Sequence, residues 1–236
     1  MNISIFITIW MTAVSSMTLD EHFLGEPLDM LKADSRVHAV EHYTPIGGDA
    51  PKTPRKGDVV PPSFIIEIQL NSENDAVSLA ESEAFSKAFT SKTGMLKDAS
   101  KITVDLLEVV NYDIPGHDAP PPRTAPFSFV VRYHGPVANA SEFTDYYINS
   151  HPERLAQFPK VRNVLCYLPL GWKDRGAIDD GGLIHGNEAV FDSFEDFKAS
   201  TKSDAMKAVR ENASKFKDFG YAAHTPMNRK LVYQRQ

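Results

Sequence analysis

The feature that most constrains this chain is a pattern that occurs twice. Residues 3–45, ISIFITIWMTAVSSMTLDEHFLGEPLDMLKADSRVHAVEHYTP, and residues 127–169, FSFVVRYHGPVANASEFTDYYINSHPERLAQFPKVRNVLCYLP, share one plan at an offset of 124 positions. Each reads as a strand, a helix interrupted by a proline, and a second strand. Similarity on this scale implies duplication. The chain has 236 residues, enough for one large domain or two of about 110, and either can bury a core. The repeat decides for two: residues 1–112, a linker 113–126 dense in proline (DIPGHDAPPPRTAP), and residues 127–236.

Element by element the two copies agree. Ile3, Ile5, Ile7 and Ile9 alternate with Ser4, Phe6, Thr8 and Trp10, a period of two in β-branched residues that specifies a strand. Leu19, Phe23, Leu28, Met30 and Leu31 have helical spacing over 17–33, where Pro27 is expected to end or kink the helix. Strands over 37–44, 63–70 and 102–112 and a helix over 71–90 complete the first copy. The second gives strands 127–134, 160–168, 184–192 and 225–234 with helices over 140–157 and 194–218. Ser72 aligns with Ser193, and Ser82 with Ser203. The loops 45–62 and 169–183 are expected to be mobile.

The order βαββαβ is that of a ferredoxin-like unit, an antiparallel sheet with helices on one face and the other face bare. Two bare faces are covered if the sheets pack against each other, so the expected class is α+β: an intramolecular α+β barrel of two ferredoxin-like halves, with a small-molecule cavity between the sheets.

Composition narrows the function. A hydrophobic share of 42% with 24% charged residues is that of an ordinary globular protein. The net charge of −6, without a long Lys/Arg run, argues against nucleic acid as a partner. The apolar start has no Lys or Arg before it and no Ala-x-Ala site, is too short to span a bilayer, and aligns with an internal strand. A cytoplasmic protein without membrane contact is therefore expected. The single Cys166 excludes a disulfide framework and a multi-cysteine zinc site. The other histidines show no metal-ligand spacing, and there is no phosphate loop, dinucleotide fingerprint or nucleophile elbow. No cofactor and no metal are expected.

Strand parity selects candidates. On 127–134, Phe127, Phe129, Val131 and Tyr133 form an apolar face for the helices, which turns Ser128, Val130, Arg132 and His134 inward. Glu188 and its counterpart Glu67 fall on the same inner side. An arginine in a cavity needs an anion, supplied either by the protein, with Glu188 as the bland partner, or by a substrate. Trp10 and Trp172 are candidates to line an aromatic-binding cavity, against the alternative of simple packing. His151 precedes Pro152, where the helix must distort, and is either a capping or surface residue or a proton-transfer group near the barrel mouth. Of the adjacent Tyr146 and Tyr147 only one can face a pocket.

The second copy resembles the EthD-like family of the dimeric α+β barrel superfamily. The resemblance rests on Tyr133-His134, on Phe143, Tyr146 and Tyr147 leading to His151-Pro152, on Phe158-Pro159 through Tyr167, and on Asn187-Glu188-Ala189-Val190-Phe191-Asp192-Ser193. The first copy has Glu26-Pro27 where the second has His151-Pro152, and resembles a decayed repeat. Such proteins include accessory proteins of ether degradation, polyketide decarboxylases and cyclases, muconolactone isomerases and cofactor-free monooxygenases. The resemblance thus implies a cofactor-independent lyase, cyclase or isomerase acting on a small hydrophobic, aromatic or polyketide-like substrate. In that reading His151 moves a proton, His134, Arg132 and Tyr146 or Tyr147 hold the substrate oxygen, and Glu188 orients a base or pairs with Arg132. A monooxygenase on a phenolic substrate and a non-catalytic carrier are the alternatives. Homodimerisation through outer surfaces is left open.

Overall fold

A computed structural model describes residues 2–11, 22–46, 61–90, 96–97, 99–118, 121–172, 182–216 and 220–236. The first part of the chain runs β1 (Asn2–Met11), α1 (Glu26–Ala33), β2 (Val37–Pro45), β3 (Phe64–Leu70), α2 (Glu73–Ala80), α3 (Glu83–Phe85) with a π-type turn over Ser86–Thr90, and β4 (Ala99–Tyr112). The second runs β5 (Phe127–His134), α4 (Ala140–Ile148), α5 (Pro152–Leu155), β6 (Val161–Pro169), β7 (Leu183–Phe191), α6 (Phe194–Ser200), α7 (Asp204–Ala213) and β8 (Tyr221–Gln234). The expected loops 45–62 and 169–183, and the start of the expected helix 17–33, lie mostly outside the described residues.

The strands form one closed antiparallel barrel in the order β1-β3-β2-β8-β5-β7-β6-β4. Closure is edge to edge rather than face to face, and it depends on the two longest strands. β4 pairs with β1 along Ala99–Val109 and with β6 along Leu107–Tyr112. β8 pairs with β5 along Tyr221–Asn228 and with β2 along Met227–Gln234. Both begin earlier than the sequence suggests. Tyr221-Ala222-Ala223-His224 has no β-branched residue to signal a strand, and its pairing with Val131–His134 supplies what local propensity does not.

The helices lie outside the barrel. Ile3, Ile5, Ile7 and Ile9 face outward with Phe64, Ile66, Ile68, Val104 and Leu106, and bury against Leu28, Leu31, Leu79 and Phe85. Phe127, Val161, Ala189 and Phe191 do the same against Leu155, Phe197, Met206 and Val209. Each long helix expected over 71–90 and 194–218 is two shorter ones. The aligned serines explain the break, since all four are N-caps: Ser72, Ser82, Ser193 and Ser203 accept from the backbone N–H of Asp75, Phe85, Asp196 and Met206. A serine inside an apparently helical run competes for backbone bonds and restarts the helix. Pro27, expected to end a helix, instead opens α1, because the first turn needs no donor there. Among the described residues no helix is long and apolar enough to cross a membrane.

Candidate functional site

The middle of the barrel is a polar layer built twice. In the first half Ser4 Oγ donates to Glu67 Oε1 at 2.8 Å and Tyr43 Oη donates to Glu67 Oε2 at 2.7 Å. At the matching positions of the second half, Ser128 and Tyr167 both donate to Glu188. Each carboxylate is thus held by a serine from the first strand of its half and a tyrosine from the second. The half read from sequence as decayed keeps this triad intact.

Two arginines close the layer. Arg229 of β8 pairs with Glu41 and lies 3.7 Å from Glu188. Arg123 comes from the linker. It reaches up into the barrel to Glu67 Oε2 at 2.9 Å, Glu41 Oε1 at 3.2 Å and the Tyr167 hydroxyl at 3.1 Å. Burial works against the charge on Arg123, but Glu67 and Glu41 outweigh it and hold the guanidinium protonated. Burial raises the Glu41 pKa despite Arg123, whereas in Glu67 the bonds from Arg123, Tyr43 and Ser4 overcome burial and lower it. The Pro-rich segment is therefore the floor of the barrel, and a 600 Å³ pocket beside it is lined by Pro121, Pro122, Arg123 and Thr124 with Glu41 and Glu67. Nothing in the composition of the linker announces this role.

Phe6 and Val130, the strand partners of Glu67 and Glu188, and Ile65, the partner of Thr8, are buried beside the polar layer. Above the layer, at the opposite mouth, is a cavity of 590 Å³ lined by Thr8, Trp10, Ile65, Lys101, Arg132, His134, Tyr221 and Thr225, among others. Arg132 and His134, turned inward by parity, and Trp10, a candidate for an aromatic-lined cavity, all line it. Arg132 is only 7% exposed. Its Nη1 donates to Thr8 Oγ1 at 2.5 Å and lies 3.9 Å from Asp105 Oδ2, its guanidinium stands 5.3 Å over the Phe6 ring, and Nη2 has no hydrogen-bond partner among the described residues. Burial lowers the Arg132 pKa, with Asp105 opposing. His134 stacks on Tyr221 with ring centroids 4.7 Å apart.

The bland pairing of Arg132 with Glu188 does not form. Arg132 is opposite Gly186 and Glu188 is opposite Val130, so they lie in successive layers, and Glu188 is occupied by Ser128, Tyr167, Tyr43 and Arg229. Gly186 packs closely here: a Cβ would lie 3.1 Å from the Val131 carbonyl oxygen and in van der Waals contact with Tyr167. Glu67 and Glu188 are inward-facing, as parity requires, but belong to the polar layer rather than the cavity wall. Sequence reasoning missed Asp105 and Arg229, which the same parity rule finds once it is applied to β4 and β8.

The remaining candidates lie on the outer face of the sheet. Tyr147 is fully buried, accepts from Asn187 Nδ2, and packs on Tyr133 and His185. His151 begins α5, where its Nδ1 lies 2.7 Å from Asn212 Oδ1, its ring 4.8 Å from that of Tyr147 and 4.9 Å from that of Phe216. Tyr146 is 38% exposed and its hydroxyl accepts from Asn212 at 3.3 Å. These three form a cluster with one another across the sheet from Arg132 and His134, so the expected single constellation is two. The reason is parity again: α4 and α5 pack on the face of β5 that carries Tyr133, not the face that carries His134. Trp172 is also outside, in the apolar core of the first half, with Nε1 donating to Glu81. Burial pushes the Cys166 thiol up to about 12, consistent with a packed core residue.

No protein-family model and no curated protein matches the chain by sequence. Solved structures do. An anthrone oxidase-like protein superposes with a TM-score of 0.64 at 14% identity, over 99% of this chain and 92% of its own. A proposed monooxygenase from Fusobacterium nucleatum subsp. nucleatum gives 0.59 at 9% identity, over 100% and 98%. Another from Lactobacillus acidophilus NCFM gives 0.53 at 12% identity, over 99% and 96%. At these identities the likeness is one of fold alone, a closed antiparallel eight-stranded barrel with helices outside it.

Proposed function

We propose that this protein is a cofactor-independent enzyme whose substrate binds in the upper barrel cavity and loses a proton there. The carrying observation is the Arg132 guanidinium, buried in that cavity with Nη2 unpartnered. A buried charge is stabilised by a counter-charge, and Asp105 at 3.9 Å gives it only a loose one. A substrate oxygen that becomes negative as the proton leaves completes the pair, which favours the anion over the neutral substrate. His134, on the same wall, is the proton-transfer group in this reading, Tyr221 orients it by stacking, and Thr8 and Asp105 position Arg132. We assign His151 and Tyr147 to the structural cluster on the outer face.

This first step is common to two outcomes. If the anion is reprotonated elsewhere or expels a group, the enzyme is an isomerase, cyclase or lyase. If it reacts with molecular oxygen, the enzyme is a monooxygenase, and the likeness to proteins named anthrone oxidase-like and monooxygenase favours that branch equally. Anthrone is a direct probe because its ring C–H is acidic and its oxygen is phenolic in the enol form. Oxidation to anthraquinone consumes one O₂, places one oxygen atom in the product and releases the other as water. Oxygen uptake with anthrone that is lost in His134→Ala supports the monooxygenase. Deuterium exchange at the acidic carbon without oxygen uptake supports the acid/base reading, and binding in the cavity with neither activity favours a carrier.

We also read the chain as two ferredoxin-like halves, 1–112 and 127–236, joined through 113–126, with the second half EthD-like. The paired serine–glutamate–tyrosine triads support the duplication.

A further inference from the structure

The upper cavity carries a second positive group. Lys101 lines it, with Nζ held 5.6 Å above the centroid of the Trp10 ring. Its level relative to Arg132 follows from the strand register. Trp10 is opposite Lys101 and Thr8 is opposite Thr103, while Arg132 is fixed to Thr8. Two residues separate the levels on each strand, so the backbone of Lys101 stands about 7 Å nearer the mouth than the level of Thr8, to which Arg132 is fixed. The lining that the two cations share is mainly ring and aliphatic surface: Trp10, Tyr221, Ile65, Val130 and Ala223.

The geometry points to a flat ring substrate that carries an acidic group at each end, one seated on Arg132 and the other on Lys101 at the mouth. We name Lys101 as the residue that selects for the second acidic group; this rests on the reading of the cavity given above. A ring with a single acid group fills the same apolar wall and satisfies Arg132, but leaves Lys101 to solvent. The discrimination therefore comes from one partly exposed ion pair, worth about a fivefold change in affinity.

Terephthalate and 4-carbamoylbenzoate test this, because they share shape and differ only in the second charge. Titration calorimetry on the full-length protein should show terephthalate binding about fivefold tighter, and Lys101→Met should bring it to the affinity of 4-carbamoylbenzoate while leaving the latter unchanged. Arg132→Gln should weaken both, which locates both in the cavity. Equal affinity of the wild-type protein for the two, or a preference that survives Lys101→Met, overturns the role of Lys101 while leaving the cavity reading intact. Binding of neither ligand to the wild-type protein overturns both.

Discussion

Thr8 and Arg132 are 124 positions apart in the chain and 2.5 Å apart in the barrel. That separation is also the offset of the sequence repeat, so the two occupy matching positions of the repeated pattern. Only the second occurrence places a charge at this position. The cavity is consequently asymmetric in charge, and the chemistry proposed for it depends on that difference.

Arg132→Lys keeps a positive charge but loses the planar fork that spans Thr8, Asp105 and the cavity. An anionic ring ligand should bind about tenfold more weakly, and Arg132→Gln should lose a further tenfold or more. Calorimetry with benzoate-type ligands measures both. Equal affinity in wild type and Arg132→Gln would exclude Arg132 as the anion site.

His134 and His151 are separated by the sheet, and their variants should behave differently. His134→Ala should lower turnover by about 10²–10⁴-fold with little effect on folding. His151→Ala removes the bond to Asn212 and should cost about 1–3 kcal/mol of stability while turnover per folded molecule is kept. Denaturant melts run beside activity measurements separate the two. A large loss of turnover in a fully folded His151→Ala protein would return that residue to the mechanism.

Removing Arg123 leaves Glu41 and Glu67 facing each other without their shared cation. Arg123→Gln should destabilise the fold by about 3–5 kcal/mol at neutral pH. The pH dependence has a definite sign. In the wild-type protein the Glu67 pKa is lowered, so its contribution is present above the ordinary carboxylate range and is lost as pH falls through it. In the variant the Arg123 contributions are lost, so burial, the largest cause, is opposed only by the bonds from Tyr43 and Ser4; the Glu67 pKa rises from its wild-type position, and its protonation relieves the variant at low pH. The gap between variant and wild type should therefore narrow from pH 7 towards pH 4. A gap that widens would mean that Arg123 does not neutralise these glutamates.

His185 is fully buried beneath α4, with Nε2 unpartnered and its pKa pulled down to about 3 by burial and then by His151. Because the unfolded chain binds the proton near pH 6.5, this group favours folding fully above that pH and progressively less as pH falls towards 3. His185→Phe, in a pocket already lined by Tyr133, Phe143 and Tyr147, should flatten the acid limb of the stability profile. Unfolding curves from pH 7.5 to 4 report it, and an unchanged acid limb would show that His185 does not set it.

The barrel was legible in the sequence because strand periodicity is a local signal repeated along the chain, and the same parity turned Arg132 and His134 inward together. Parity identifies a face, not a layer along the strand, which is why it could not separate Arg132 from Glu188. Helix positions were harder. His151 and Tyr147 carry the strongest motif, but a motif does not state which side of a sheet its helix covers. Arg123 was illegible for another reason: a residue in a Pro-rich connection has no periodicity, and its partners Glu41 and Glu67 are 82 and 56 positions away.

The polar layer, with Phe6 and Val130 beside it, lies between the two cavities. Among the described residues the upper cavity is framed by Trp10, Lys101 and Tyr221. In the function proposed above, substrate and product share that lining, so product should compete with substrate and turnover should slow as product accumulates.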